Sequence, residues 1–385
     1  MTGNLLLVNA RLADGAAADV RVADGVIAEI GAGLSAPGGD ATDAPVIDAG
    51  GALVLPGMVD CHLHIDKTLM GMPWMPYWAG PDRESRIAGD IENRDKITLP
   101  VEERAGNLVR RLIANGTCQI RTHVDVMVEI GLENVEGVLA VREKYRDQLP
   151  IQIVAFPQNG VTRSPGTIEL MAAAIDAGVD LVGGIDPVGV DHDMVGQLDA
   201  IFDLADRKGV GIDIHLHDFA PDGLDEVAAI TERTKALGMA GKVNISHAFC
   251  LGEADAATFD RLADGMVAAG VTNVTHAPGH RQFPTIKGMR ERGVVQGAGN
   301  DDVRDTWSPY GNGDLLERAM LIGFRSDFRS DEDLALAFDV ATHGGARVLG
   351  LEEYGLEVGC RADFYTVAAE TLAEAIVSRP VRELV

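Results

Sequence analysis

Short apolar runs that end in polar residues recur along the middle of the chain. Eight of them lie at 59–64, 117–126, 151–158, 181–187, 210–217, 243–247, 271–276 and 294–301. The segments between them carry apolar residues at helical steps of three and four, as at Leu132, Val135 and Leu139. The pattern therefore predicts eight strands that alternate with helices.

Eight such alternations without an internal break favour a closed (β/α)8 barrel, the TIM barrel, over an open doubly wound sheet. A barrel of this kind needs about 250 residues, and residues 57–349 are assigned to it. The polar residues come at the C-terminal ends of the predicted strands, which is where barrel enzymes carry their catalytic groups. The same pattern thus predicts both the α/β fold and the place of a site.

The two terminal segments have a different pattern. Short strand candidates lie at 5–8, 19–22 and 26–30. Asp14-Gly15 and Asp24-Gly25 separate them as turns, and a further apolar run follows near the C-terminus at 364–367. We therefore expect residues 1–56 and 350–385 to pair as one small β-sandwich domain beside the barrel.

Composition and charge exclude several classes of protein. The chain has 59 acidic and 33 basic residues among 385, with a formal net charge of −26. Because nucleic acids are bound by lysines and arginines that neutralise phosphates, this charge argues against nucleic acid as a partner. No apolar run is long enough to cross a bilayer, Met1 to Ala10 lacks the features of a secretory signal, and the four cysteines show no Cys-x-x-Cys spacing. We expect a cytoplasmic enzyme without a membrane partner.

The first predicted barrel strand ends in two histidines, His62 and His64. Side chains alternate along a strand, so both project to the same face and can bind one cation. An isolated His-x-His pair is equally compatible with histidines that only find hydrogen-bond partners. Further histidines lie at or near the ends of other apolar runs, at His123, His215, His217, His247 and His276. This distribution favours a metal site at the mouth of the barrel.

Six motifs, in order along nearly the whole chain, resemble the cytosine deaminase-like branch of the amidohydrolase superfamily, which also contains the triazine enzyme N-isopropylammelide amidohydrolase. They are Pro-Gly-Met-Val-Asp-Cys-His-Leu-His-Ile-Asp-Lys at 56–67, Arg-Thr-His-Val-Asp-Val at 121–126, Ile-Val-Ala-Phe-Pro-Gln-Asn-Gly at 153–160, Asp-Ile-His-Leu-His-Asp at 213–218, Ser-His-Ala at 246–248 and Gly-Asn-Asp-Asp-Val-Arg-Asp-Thr-Trp at 299–307.

This resemblance implies one divalent metal ion per subunit, bound by His62, His64, His215 and Asp301, with a position left for water. Nitrogen and oxygen ligands without sulfur suit Zn²⁺ or Fe²⁺. The implied activity is that of a metal-dependent aminohydrolase, or deaminase. Hydroxide formed at the metal would attack an amino-bearing carbon of a small pyrimidine- or triazine-like ring.

The resemblance also implies the catalytic groups around the metal. Asp301 would take the first proton of the water, and His247 would hold the attacking oxygen. The proton shuttle stays open, because Asp218 stands where bacterial cytosine deaminases carry a glutamate and is one methylene shorter. Strand alternation also turns His217 toward the barrel interior, which makes it the rival candidate. His217 and Lys67 make the chain more similar to the triazine enzyme than to cytosine deaminase.

Four residues are candidates for substrate binding: Gln158, Trp307, Lys67 and Asp302. Gln158 matches the family's glutamine that hydrogen-bonds an amide edge, since a carboxamide can donate and accept at once. Trp307 resembles the residue that closes over the ring, although a loop tryptophan packed on a neighbour is the alternative. Asp302, Lys67 and His123 are expected to orient the metal ligands or the substrate. The remaining histidines are interpreted as structural or surface residues: His192, His276, His280 and His343.

Two further interpretations stay open. The segment from Leu69 to Ile97 is too long for an ordinary connection and is rich in methionine and aromatic residues, so it is either a lid over the site or an oligomer contact. The same metal could alternatively hydrolyse a cyclic amide C–N bond and open the ring. A catalytically inactive scaffold would have no reason to retain three histidines and an aspartate around a cation. The expected partner is a small ring substrate, and the resemblance to the family implies a homo-oligomer.

Overall fold

The computed structural model describes residues 3–34, 44–77, 80–279 and 281–385. Its strands are Leu5–Arg11 (β1), Ala17–Ala23 (β2), Val26–Gly31 (β3), Val46–Asp48 (β4), Leu53–Pro56 (β5), Met58–Leu63 (β6), Thr117–Asp125 (β7), Ile151–Phe156 (β8), Leu181–Ile185 (β9), Gly211–Leu216 (β10), Val243–His247 (β11), Thr272–Thr275 (β12), Gln296–Ala298 (β13), Phe364–Val367 (β14) and Arg382–Leu384 (β15). Its helices are Arg83–Asn93 (α1), Val101–Ala114 (α2), Glu133–Tyr145 (α3), Thr167–Asp176 (α4), Met194–Lys208 (α5), Asp222–Ala236 (α6), Phe249–Glu253 (α7), Ala256–Ala269 (α8), Ile286–Arg292 (α9), Leu315–Arg325 (α10), Asp331–Val340 (α11), His343–Leu349 (α12) and Leu372–Ser378 (α13).

The strands β6 to β13 form a parallel sheet in chain order, with helices between them. The ends of this sheet meet, because Leu63 bridges to Asp301 and the Asp301 N–H donates to the His62 carbonyl at 2.7 Å. All eight predicted barrel strands are confirmed, each within a few residues of its predicted bounds. The fold is a (β/α)8 barrel, and the closing contact is made by two of the predicted metal ligands.

The helices follow from local sequence signals and from the apolar faces that they bury. In α5, the Asp193 side chain accepts a hydrogen bond from the Gly196 N–H, and the helix ends at Gly209 with a φ of +70°, a conformation that glycine adopts without strain. In α2, Leu108 and Leu112 are fully buried against the barrel strands. Burial of each such side chain contributes about 1.5–3 kcal/mol.

The terminal segments pair in one sheet, in the order β15-β14-β5-β1-β2-β3 with β4 beside β1. The three predicted N-terminal strands and the strand at 364–367 are confirmed, and the antiparallel pair of β14 and β5 joins the two ends of the chain. This small β-domain has its own core, but Leu55 and Tyr365 pack instead against α10 and α11 of the barrel. The boundaries of the small domain therefore stay a prediction.

Within the described part of the chain, no helix combines the length and the apolar character that a membrane span requires.

Candidate active site

A cavity of about 870 Å³ opens at the C-terminal ends of the barrel strands. Most of the predicted site residues line it: His64, Lys67, Gln158, His215, His217, Asp218, Asp301, Asp302 and Trp307. His62 and His247 are buried directly behind this lining, with ring centroids 4.7 Å apart. The structure thus brings residues from five of the six motifs to one place.

The four predicted metal ligands converge at the floor of the cavity. The Nε2 atoms of His62 and His64 lie 3.4 and 3.6 Å from the Asp301 Oδ1 atom. The His215 Nε2 atom lies 3.3 Å from that of His64. The buried His62 Nε2 atom has no hydrogen-bond partner among the described residues. Because a buried ring nitrogen normally has a partner, this donor set fits a divalent cation.

A chain of hydrogen bonds fixes the orientation of His62. Its Nδ1 atom lies 2.9 Å from the Ser246 hydroxyl, which donates to Asp213 Oδ1 at 2.8 Å. Arg121 donates to the other oxygen of Asp213 at 3.0 Å. The His123 ring lies 4.1 Å from that of His62, between centroids, and is fully buried. This support holds the His62 Nε2 atom toward the cavity. The roles of Asp213 and Ser246 were not predicted from the sequence, although both residues lie within the motifs.

The interpretation of His276 as a structural or surface histidine is wrong. It lines the cavity, and its Nδ1 atom lies 3.1 Å from Asp301 Oδ2 and 3.1 Å from the Nδ1 atom of His247. Burial lowers the pKa of His276 to about 4, against the opposing effect of the Asp301 carboxylate. His276 therefore belongs to the site, and its place at the end of the seventh strand was the signal. His192 and His343 do not line the cavity, and His280 lies outside the described residues.

The two candidate proton shuttles have different surroundings. The Nδ1 atom of His217 lies 2.7 Å from the Oδ2 atom of buried Asp186, and its ring stacks on that of His247 with centroids 4.4 Å apart. Burial and the charge of Arg83 lower the pKa of His217 to about 3. Asp218 accepts hydrogen bonds from the Gly189 N–H at 2.6 Å and from Arg83 at 3.1 Å. The carboxylate of Asp218 thus accepts hydrogen bonds from protein groups, whereas the Nε2 atom of His217 forms no hydrogen bond to the described residues.

Lys67 and Gln158 form a polar edge on another side of the cavity. The Lys67 ammonium donates to Gln158 Oε1 at 2.5 Å and lies 3.3 Å from Asp125 Oδ2. Burial disfavours the charged form of Lys67, but Asp125 and Asp90 outweigh it and raise its pKa. The buried Gln158 Nε2 atom has no partner among the described residues. Gln158 therefore has a free N–H donor for a ligand.

Helix α1, which belongs to the segment from Leu69 to Ile97, lies over the polar edge formed by Lys67 and Gln158. The Trp307 Nε1–H donates to Asp90 of α1 at 2.6 Å, and the Lys67 ammonium lies 4.7 Å from the centroid of the Trp307 ring. Arg83 and Arg86 of α1 line the cavity. The part of this segment that covers the site is thus α1, whereas Trp74 in its first half is 67% exposed. Trp78 lies outside the described residues.

The neighbouring carboxyl groups Asp301 and Asp302 have opposite pKa shifts. Burial alone would raise the pKa of Asp301, but His276 and His62 outweigh it and hold the pKa well below its usual range. Burial raises the pKa of Asp302 well above its usual range, and the charges of Asp305 and Asp301 act in the same direction. The shift of Asp301 favours its anionic form, which can bind a cation, whereas the shift of Asp302 favours its protonated form, which can donate a hydrogen bond.

Comparison with known proteins agrees with this site. Residues 45–381 match the model of the amidohydrolase family. The chain is 34% identical to N-isopropylammelide isopropyl amidohydrolase of Pseudomonas sp. (strain ADP), over 87% of this chain and 85% of that protein. The crystal structure of N-isopropylammelide isopropylaminohydrolase from Burkholderia multivorans ATCC 17616 superimposes with a TM-score of 0.95 at 44% identity, covering 99% and 95% of the two chains. That of 5-methylcytosine deaminase from Klebsiella pneumoniae gives a TM-score of 0.83 at 27% identity, covering 98% and 95%.

The chain belongs to the amidohydrolase family, and it is a hydrolase that acts on C–N bonds. This superfamily is metal-dependent, and the cluster of histidines and Asp301 is the candidate site for the metal in this chain.

Proposed function

We propose that the protein is an aminohydrolase that removes an amine or a substituted amine from a small triazine- or pyrimidine-like ring. One observation carries this proposal. The convergent donors of His62, His64, His215 and Asp301 share a cavity with the free N–H donor of Gln158. The relatives named for N-isopropylammelide and 5-methylcytosine support a ring substrate of this class.

The metal is proposed to be one Zn²⁺ or Fe²⁺ ion per chain, held by these three histidines and Asp301, since the donors are nitrogen and oxygen without sulfur. When bound, such an ion lowers the pKa of water so that hydroxide is available near neutral pH. In the reaction, a C–O bond forms at the ring carbon and the C–N bond breaks. The amine takes up the proton that the water loses and then departs.

His217 is the proposed carrier of that proton. Its Nδ1 atom faces the Asp186 carboxylate at 2.7 Å, so Nδ1 carries the hydrogen and Nε2 is free to accept and return a proton in the cavity. Asp218 is less suited, because its carboxylate accepts hydrogen bonds from Gly189 and Arg83. Asp301 is proposed to take the first proton of the water, and buried His247 to hold the attacking oxygen.

The substrate's amide edge is proposed to lie against Lys67 and Gln158. The Nε2–H of Gln158 can donate to a ring carbonyl, and the carboxyl of Asp302, whose pKa is raised by burial, can donate to a second acceptor when it is protonated. Trp307, held by its bond to Asp90, offers a flat face for the ring. A ring with two adjacent acceptors and an exchangeable exocyclic amine fits this arrangement.

We also propose a cytoplasmic homo-oligomer. The four cysteines, at 61, 118, 250 and 360, are all unpaired, which supports a reducing compartment. Trp74 is 67% exposed and Phe324 78%, and large aromatic side chains at the surface are typical of subunit contacts.

The test is a panel of rings given to the protein loaded with Zn²⁺ and, separately, with Fe²⁺. The panel contains cytosine, isocytosine, ammelide-type triazines and their N-alkylamino derivatives, and the chelated protein serves as the control. We expect stoichiometric release of ammonia or alkylamine from at least one compound. Addition of water without amine release would indicate the alternative, ring opening of a cyclic amide. Absence of turnover across the panel would contradict the proposal.

A further inference from the structure

Three of the five arginines that line the cavity are Arg83, Arg86 and Arg281. The first two belong to α1, and Arg281 follows β12. This grouping runs against the composition of the chain, in which acidic residues outnumber basic ones by 59 to 33. Positive charge that is grouped locally in an otherwise acidic protein favours the binding of an anion there.

Two of these guanidinium groups form no ion pair within the described part of the chain. Arg83 forms ion pairs with Asp186 and Asp218, whereas neither Arg86 nor Arg281 forms one among the described residues. Arg86 donates from Nε to the Gly80 carbonyl at 3.0 Å. Burial and then repulsion from Arg83 and Arg86, which line the same cavity, lower the pKa of Arg281, while Glu253 acts in the opposite direction. An anion between them would relieve that repulsion.

An apolar surface lies beside Arg281. Its guanidinium carbon is 5.1 Å from the centroid of the Phe219 ring and 5.5 Å from that of Phe249. Phe219 is 47% exposed, and both rings line the cavity. A short alkyl chain can pack on these rings and present a charged end to the arginine.

This surface lies on the side of the leaving amine. Lys67 and Gln158, which face the amide edge, follow β6 and β8, whereas His217, Phe249 and Arg281 follow β10, β11 and β12 around the barrel mouth. Arg83 lies beside the proposed proton carrier, because it forms an ion pair with Asp186, whose carboxylate contacts His217. A substituent on the amine therefore points toward the arginines when the amide edge contacts Gln158.

We infer that the natural substrate carries an anionic group on its exocyclic amine, so that the released product is an amino acid-like amine, and that Arg281 and Arg86 determine this specificity. The inference rests on the proposed function. Water adds its oxygen to the ring carbon, the C–N bond breaks, and the amine leaves with the proton and with its own negative group unchanged. No further reactant is needed.

The test compares two N-substituents of equal shape on one triazine ring, carboxymethyl and carbamoylmethyl, by kcat/KM with the metal-loaded enzyme. We expect the wild type to prefer the carboxylate by about 10-fold or more, and this preference to decrease with added salt. Arg281→Met should lower kcat/KM for the carboxylate by about 10- to 100-fold and leave the carboxamide within about threefold. Arg281→Lys should restore part of the preference, and Arg86→Met should reduce it.

The control is Arg329→Met, which removes an arginine that is 83% exposed and pairs with Asp327. Its preference should equal that of the wild type. Should both compounds turn over with equal kcat/KM in the wild type, or should Arg281→Met affect them equally, the inference is wrong while the proposed function stands. If neither compound nor any ring of the panel is hydrolysed, both the proposed function and the inference that rests on it are wrong. Thermal melting of Arg281→Met and Arg281→Lys identifies loss of folding, and the salt dependence of the wild type tests the inference without any variant.

Discussion

Replacing Asp301 with asparagine is expected to lower kcat by about 10³- to 10⁴-fold while the protein stays folded. The Oδ1 atom of Asp301 lies 3.4 and 3.6 Å from the Nε2 atoms of His62 and His64, and its Oδ2 atom lies 3.1 Å from His276. The amide keeps the shape of the side chain but removes the charge that binds a cation and the oxygen that takes a proton. The measurement is kcat on the substrate found in the ring panel, together with circular dichroism and the melting temperature.

Asp260→Asn is the matched control, because Asp260 lies on α8 with its side chain 53% exposed and away from the cavity. Its kcat should equal that of the wild type. An Asp301→Asn variant that retains kcat within about tenfold of the wild type would contradict the proposed role.

The second large effect is expected at His217. His217→Asn should lower kcat by about 10²- to 10³-fold, whereas Asp218→Asn should lower it by no more than about 10-fold. The structural reason is that His217 is oriented by Asp186 at 2.7 Å, while Asp218 is committed to Gly189 and Arg83. The measurement is single-turnover kinetics at saturating substrate, which separates chemistry from product release.

His192→Asn serves as the control for the loss of a histidine, since His192 is exposed and its Nδ1 atom contacts only the Val188 carbonyl among the described residues. The reverse order of effects, with Asp218→Asn more damaging than His217→Asn, would assign the proton shuttle to the carboxylate.

The parts of the site that could be predicted from the sequence are those fixed within one strand. Period-two alternation places His62 and His64 on one face without knowledge of any neighbour, and the helical spacing between apolar runs predicts the barrel. The same rule places His276 at the end of β12, but this residue lies outside the six motifs and was therefore interpreted as a structural or surface histidine.

The parts that could not be predicted depend on contacts between distant segments. The choice between His217 and Asp218 rests on Arg83, which is 135 residues from Asp218 and reaches it only because α1 lies over the barrel mouth. Asp186 contacts His217 because β9 and β10 are neighbours in the sheet. Arg281 and Phe219 likewise come together only when the loops after β12 and β10 meet at the cavity.

In the proposed mechanism, His62, His64, His215 and Asp301 hold one divalent metal ion. Anomalous diffraction from crystals of the active protein, collected on either side of the zinc and iron absorption edges, tests this assignment directly. We expect one anomalous peak per chain, within bonding distance of all four side chains. Active crystals with no anomalous peak among these residues would contradict the account.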